Sequence, residues 1–92
     1  MGYHIEYTER ALEDLSLLEK NIARRIRNKI DFFGAQVNPF RFAKKLNDPE
    51  AGTYRFRIGN FRAIFDVDHQ GVISVLHILR IKHRKNIYQL ET

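Results

Sequence analysis

The segment Tyr54-Arg55-Phe56-Arg57-Ile58-Gly59-Asn60-Phe61-Arg62-Ala63-Ile64-Phe65 decides how this chain is read. Apolar and cationic residues alternate on either side of Gly59-Asn60, and a two-residue Gly-Asn link between such runs predicts a tight β-hairpin. Ile58 then faces Phe61, and Arg57 faces Arg62. Because side chains alternate along a strand, Tyr54, Phe56, Ile58, Phe61, Ala63 and Phe65 share one side, while Arg55, Arg57 and Arg62 share the other. One side is core and the other a cationic surface. Like charges opposed across a sheet repel, so three arginines placed this way call for an anionic partner, and phosphate is the natural candidate.

Working outward, Val72 to Ile81 is apolar at most positions, which predicts a third strand in the middle of the sheet. Asp68-His69-Gln70-Gly71 is the turn before it. An even loop places His77 and His83 on the face of Arg62; an odd one places Arg80 and Lys82 there. Upstream, Tyr3, Ile5 and Tyr7 alternate with His4 and Glu6 as a short strand, and Thr8 is placed to cap a helix with Glu9 in its first turn. Ala11, Leu12, Leu15 and Leu18 continue at helical spacing. Ile22, Ile26, Ile30 and Phe33 form the stripe of a second amphipathic helix, joined to the first by a break short enough for an antiparallel hairpin. Gly34 and Pro39 end it, and a connector through Phe40, Phe42, Lys44, Lys45 and Leu46 is expected to pack down before Asn47-Asp48-Pro49 and Gly52. The order strand-helix-helix-strand-strand-strand predicts an α+β domain: a mainly antiparallel sheet with a helical hairpin packed on one face. Residues 1–92 read as one domain.

Composition narrows the function. The 92 residues carry 16 Lys+Arg against 11 Asp+Glu, a formal charge of +5, with an isoelectric point near 9.8, which favours an anionic partner such as nucleic acid. There is no cysteine, so disulfides, thiolate nucleophiles and Cys-ligated zinc are excluded. The start lacks a secretory signal, and Glu6 breaks the myristoylation pattern. No apolar stretch nears the roughly 20 residues of a membrane span. The expectation is a cytoplasmic protein with no membrane partner.

The chemistry on offer is cationic. Lys82-His83-Arg84-Lys85 follows the third strand, and only Asp66 and Asp68 are negative between residues 53 and 88. A single arginine here is ordinarily a solvated surface charge, but three opposed across a hairpin favour a phosphate site. His83 and Tyr88 are the nearby side chains able to move protons. Attack by a ribose hydroxyl needs a base, positive charge on the phosphorane and an acid for the leaving oxygen; arginine supplies only the second. His4, His69 and His77 are expected in the first strand, a turn and a packed strand position, with Asp66 and Asp68 helping to form that turn. No metal-ligand spacing, phosphate-binding glycine loop or Ser-His-Asp arrangement is found, and no cofactor is expected.

Three stretches resemble the RelE/ParE superfamily of toxin-antitoxin toxins, on its RelE side. Tyr3-His4-Ile5-Glu6-Tyr7-Thr8-Glu9-Arg10-Ala11 is similar to the family's first strand and helix start. Lys45-Leu46 with Gly52-Thr53-Tyr54-Arg55-Phe56-Arg57-Ile58-Gly59-Asn60-Phe61-Arg62 is similar to its central motif. Arg80-Ile81-Lys82-His83-Arg84-Lys85-Asn86-Ile87-Tyr88 resembles its ending. The resemblance implies a ribosome-dependent endoribonuclease that cleaves mRNA in the A site by 2′-hydroxyl attack without metal, with mRNA, ribosomal RNA and an acidic, RelB-like antitoxin as partners. By position, the family's functional residues fall on Arg55 and Arg57, on Arg62, on Lys82 or Arg84, and on Tyr88. We therefore expect Arg57, Arg62, His83, Arg84 and Tyr88 to serve the reaction, and Lys44, Lys45, Arg55, Arg80, Lys82 and Lys85 to hold RNA. Arginines stand where relatives carry lysines in the middle strand, which leaves proton transfer to His83, Tyr88 or the RNA's surroundings. A C-terminal helix found in some relatives is expected to be missing or reduced to a turn. A gyrase-poisoning toxin of the ParE type, or a non-catalytic RNA- or protein-binding relative, are the alternatives.

Overall fold

In the computed structural model, which describes residues 2–47 and 52–87, Thr8 starts the first helix as expected. Its extended backbone puts Oγ1 3.1 Å from the Ala11 amide, which donates to it, and the same hydroxyl donates to Leu79 O at 2.8 Å. One residue thus caps a helix and ties it to the last strand. The elements are β1 (His4–Tyr7), α1 (Glu9–Ser16), α2 (Lys20–Gly34), a 3-10 turn (Pro39–Phe42), β2 (Ala43–Lys45), β3 (Tyr54–Ile58), β4 (Phe61–Gln70), β5 (Ile73–His83) and α3 (Arg84–Ile87).

The strands form one five-stranded sheet in the order β1-β5-β4-β3-β2. Only β1 and β5 run parallel; the other neighbours are antiparallel. β5 is therefore an interior strand, as its apolar run predicts, but the middle of the sheet belongs to β4. β2 was not anticipated: Ala43-Lys44-Lys45 has neither alternation nor β-branched residues, and it becomes a strand by pairing with Arg55 and its neighbours at the sheet edge. The β4–β5 connection also differs from expectation. Pairing continues through His69–Ser74 and Gln70–Ile73, so the turn is Gly71-Val72 alone and Asp66, Asp68 and His69 are strand residues.

The hairpin forms as read. Ile58 pairs with Phe61 and Arg57 with Arg62, and Gly59 at φ +59° supplies the left-handed conformation the turn needs. On the inner face Phe56, Phe65, Leu76 and Ile78 are fully buried against Ala11 and Leu15 of α1 and Ile26, Ile30 and Phe33 of α2. Phe56 lies 4.2 Å from Phe65 and 4.8 Å from Phe33 between ring centroids. Each such side chain contributes on the order of 1.5–3 kcal/mol by leaving water.

α1 does a second job. Beyond Tyr7, β1 no longer covers the edge of β5, and α1 takes over. Thr8 N donates to Ile78 O at 3.0 Å. Asp14 Oδ2 accepts from Ile81 N at 2.9 Å and from Arg80 Nε at 2.8 Å, while its Oδ1 accepts from Arg80 Nη2 at 3.0 Å. Partial burial works against ionisation of Asp14, but these hydrogen bonds outweigh it and hold the carboxyl below the ordinary carboxylate range. The hydrogen bond to Asp14 likewise raises the Arg80 guanidinium above its ordinary value.

The outer face carries its own small cluster of Leu46, Ile64 and Leu79. The chain near Gly52 lies directly on it. Gly52 sits at φ +145°, and a Cβ there would come within 2.5 Å of Ile64 Cγ2. Thr53 anchors this return by donating through N and Oγ1 to Asp66 Oδ1, at 2.8 and 2.7 Å. The expected packing down of the connector is thus real, and Asp66 fixes it from within β4 rather than shaping a turn.

Candidate functional site

The alternation of β3, β4 and β5 brings three cations into one row across the outer face. Arg57 is opposite Arg62, and Arg62 is opposite Lys82. Lys82 reaches this row because of an irregularity in β5: Ile64 pairs with Arg80 and Phe65 with Ile78, leaving Leu79 as an extra residue. Strand parity changes there. His77, paired with Asp66, and Lys82, paired with Arg62, consequently both share the Arg62 face, whereas His83 pairs with Phe61 on the inner side. Arg80 and Lys82 both take the Arg62 face, as an odd loop would place them, while of the even-loop pair His77 joins them and His83 does not, since neither alternative allowed for a bulge.

The members of the row differ in exposure. Arg57 is exposed and Lys82 half-buried. Arg62 is only 8% exposed, and its Nη1 donates to Gly59 O at 3.0 Å and Phe61 O at 2.9 Å. Its guanidinium thus braces the hairpin turn from within, held by carbonyl oxygens. Arg55, on the same face, pairs across to Lys44 of β2 and to Ile64 of β4.

At the hairpin tip a second group of cations gathers. Arg84 N donates to Asn60 O at 2.8 Å, so α3 begins against the turn. The expected reduction of the C-terminal helix bears on residues that lie outside the described ones. Arg84 and Lys85 are exposed beside the turn. His83 Nδ1 accepts from Lys85 N at 3.3 Å, and its ring stands edge-on to Phe61 at 5.4 Å. From the other side of the sheet, Arg25 of α2 approaches Gly59, where a Cβ would lie 3.8 Å from Nη2. Arg25 is not among the residues singled out from the sequence; its proximity to the tip is a product of packing that no local pattern announces.

The remaining candidates separate. Arg80 is committed to Asp14 on α1. Lys45 pairs with Tyr54 on the opposite parity from Lys44. Tyr88 lies outside the described residues. His77, expected to be packed, is instead half-exposed between two acids, with Nδ1 3.3 Å from Glu6 Oε1 and Nε2 3.8 Å from Asp68 Oδ2. It ties β1, β5 and β4 together at the end of the sheet away from the cationic row.

A five-stranded sheet of this order carries helices on one face and a basic row on the other, the α+β arrangement that the sequence resemblance implies. Comparison with known proteins agrees. A family model described as "ParE toxin of type II toxin-antitoxin system, parDE" matches residues 5–88. Toxin RelG of Mycobacterium tuberculosis is 32% identical over 89 residues, covering 97% of this chain and 99% of that protein. The toxin-antitoxin complex RelBE2 of the same organism superposes with a TM-score of 0.64 at 28% identity, over 91% of this chain and 100% of that one. The archaeal RelE-RelB complex of Pyrococcus horikoshii gives 0.62 at 25% identity, over 91% and 97%. The chain belongs to the RelE/ParE superfamily of type II toxin-antitoxin toxins. Among the described residues, no helix is long and apolar enough to cross a membrane.

Proposed function

We propose that this toxin is a ribosome-dependent endoribonuclease that cuts mRNA in the ribosomal A site. The observation that carries the reading is the row Arg57–Arg62–Lys82 across three adjacent strands. Arg57 and Lys82, the accessible members, hold the non-bridging oxygens of the scissile phosphate, and Arg62 adds its field between them while fixing the turn. In the step itself the 2′-hydroxyl oxygen forms a bond to phosphorus as the bond from phosphorus to the 5′ oxygen breaks. A base takes the 2′-hydroxyl proton and an acid returns one to the 5′ oxygen, leaving a 2′,3′-cyclic phosphate and a 5′-hydroxyl. No metal is required, because the cations supply the charge. Tyr88 is the proposed proton carrier; His83, which the register turns to the inner side against Phe61, is given a lesser part than its sequence position implied, and Arg84, Lys85, Arg55 and Lys44 extend the contact to mRNA and ribosomal RNA. Lys45 and Arg80 are assigned lesser parts, since one points to the other face and the other is held by Asp14.

A RelB-like antitoxin is the proposed protein partner, supported by the two similar toxins whose structures are complexes with RelB. The matching family model bears the ParE name, which favours gyrase poisoning as a second reading. Translation in a reconstituted system, with mRNA 5′ ends mapped, separates the two. Cuts within A-site codons are expected. Cleaved gyrase-DNA complexes without mRNA cuts would overturn the nuclease reading, and neither product would leave a binding module.

A further inference from the structure

α3 is a helix of four residues, Arg84–Ile87, too short to hold itself together in water, since fixing a first turn costs more than its one hydrogen bond returns. Its leading backbone amides have no acceptor within the helix and must find one outside it. Two of them do. Arg84 N donates to Asn60 O at 2.8 Å, and Lys85 N donates to His83 Nδ1 at 3.3 Å. His83 is the last residue of β5 and so has the extended backbone of a cap. Its side chain takes the amide of the second helical residue, the place ordinarily filled by serine, aspartate or asparagine. Accepting this bond requires a bare Nδ1, which leaves the ring proton on Nε2. Phe61 meets the ring edge-on, with 5.4 Å between centroids, on the inner side of the sheet.

The hairpin turn that receives α3 is also gripped by the cationic row. Arg62 Nη1 donates to Gly59 O and Phe61 O at 3.0 and 2.9 Å, and Asn60 O between them accepts from Arg84 N. Three successive carbonyls thus join the middle cation of the row to the start of α3, and the chain enters Tyr88 directly from that helix.

We propose that His83 is a positioning residue: its imidazole caps α3 and so aims Tyr88 at the phosphate held by the Arg57–Arg62–Lys82 row, and it carries no proton in the reaction. The inference rests on the nuclease reading above. A ring engaged by a backbone amide, on the side of the sheet away from the row, is placed to hold a helix and not to exchange protons with a ribose hydroxyl. Without the cap α3 loses an outside partner and frays, and Tyr88 loses its fixed approach. RNA binding, which belongs to the cations, stays.

The test compares the full chain with His83→Ala and His83→Asn, the second offering a side-chain oxygen to the same amide but no imidazole. Hydrogen exchange of the Lys85 amide, followed by NMR, and A-site mRNA cleavage in a reconstituted translation system are measured for each. In His83→Ala the amide is expected to exchange about fivefold to tenfold faster, the scale of a lost cap, and kcat to fall at least as far with KM unchanged. His83→Asn is expected to bring both back toward wild type. Unchanged exchange in His83→Ala overturns the cap. Unchanged cleavage by His83→Ala overturns the positioning role while the nuclease reading stands. Restored protection without restored cleavage in His83→Asn makes the imidazole a proton carrier, and the proposal falls. Absence of mRNA cuts by the wild type overturns the nuclease reading and this inference with it.

Discussion

Replacing Asp14 probes the means by which α1 closes the free edge of β5. The carboxylate accepts two guanidinium hydrogen bonds from Arg80 and one from the Ile81 amide, at 2.8, 3.0 and 2.9 Å. Hydrogen bonds to a charged group are worth about 1.5–3 kcal/mol each, and breaking a buried pair costs about 3–5 kcal/mol. The Asp14 and Arg80 side chains are 15% and 26% exposed, so water recovers part of the loss at Arg80, whereas the Ile81 amide loses its partner at a covered strand edge. Asp14→Ala should therefore cost about 2–3 kcal/mol, or about 10–20 °C in melting temperature for a domain of this size. Asp14→Asn keeps an acceptor for Ile81 and should lose roughly half as much. The sign with pH follows from the depressed folded-state carboxyl. Its contribution is present above the unfolded value of about 3.9 and disappears as pH falls through the lower folded value. Circular dichroism melts of wild type and both variants from pH 7 down to pH 2 measure this. A loss under about 3 °C for Asp14→Ala, or a wild-type advantage over Asp14→Asn that persists unchanged at pH 2, would refute the argument.

Arg57→Ala and Lys82→Ala should each lower mRNA cleavage by about 10²–10³ in a translation assay, with melting temperatures near wild type because neither side chain is buried. Gly52→Ala should destabilise by about 2–4 kcal/mol in urea titration, since it combines an unfavourable φ with a collision against Ile64. Burial, helped by Asp31 and opposed by Arg27, pushes the Tyr7 phenol up, so wild-type stability should fall as pH rises past the unfolded value of about 10. Tyr7→Phe should lessen that fall at little cost at pH 7, as circular dichroism melts between pH 7 and pH 11 would show, because the hydroxyl has no well-formed hydrogen bond.

The parts of this fold that alternation and spacing encode locally were readable from the chain: the hairpin at Gly59-Asn60, the Thr8 cap, the Ile22-Ile26-Ile30-Phe33 stripe and the interior, doubly flanked place of the last strand. What escaped was set by partners distant in sequence. Ala43-Lys44-Lys45 is a strand only because β3 lies beside it. His77 looked like a core residue because its neighbours are apolar, yet its own parity turns it toward Glu6 and Asp68. The cationic face was legible as three arginines, but its membership was not. Lys82 joins through a bulge that no residue type announces, Arg80 is drawn off by an acid 66 positions earlier, and Arg62 proved to be buried beneath the turn it braces.

That extra residue, Leu79, also sets the tolerance of β5 to change. A one-residue insertion or deletion elsewhere between Ile78 and Lys82 would trade places between the two sheet sides, sending Ile81 into solvent and Lys82 toward Phe61 and the helices. Drift in length at this point would strike the hydrophobic interior and the basic row in one event, whereas a side-chain substitution can remove the row alone.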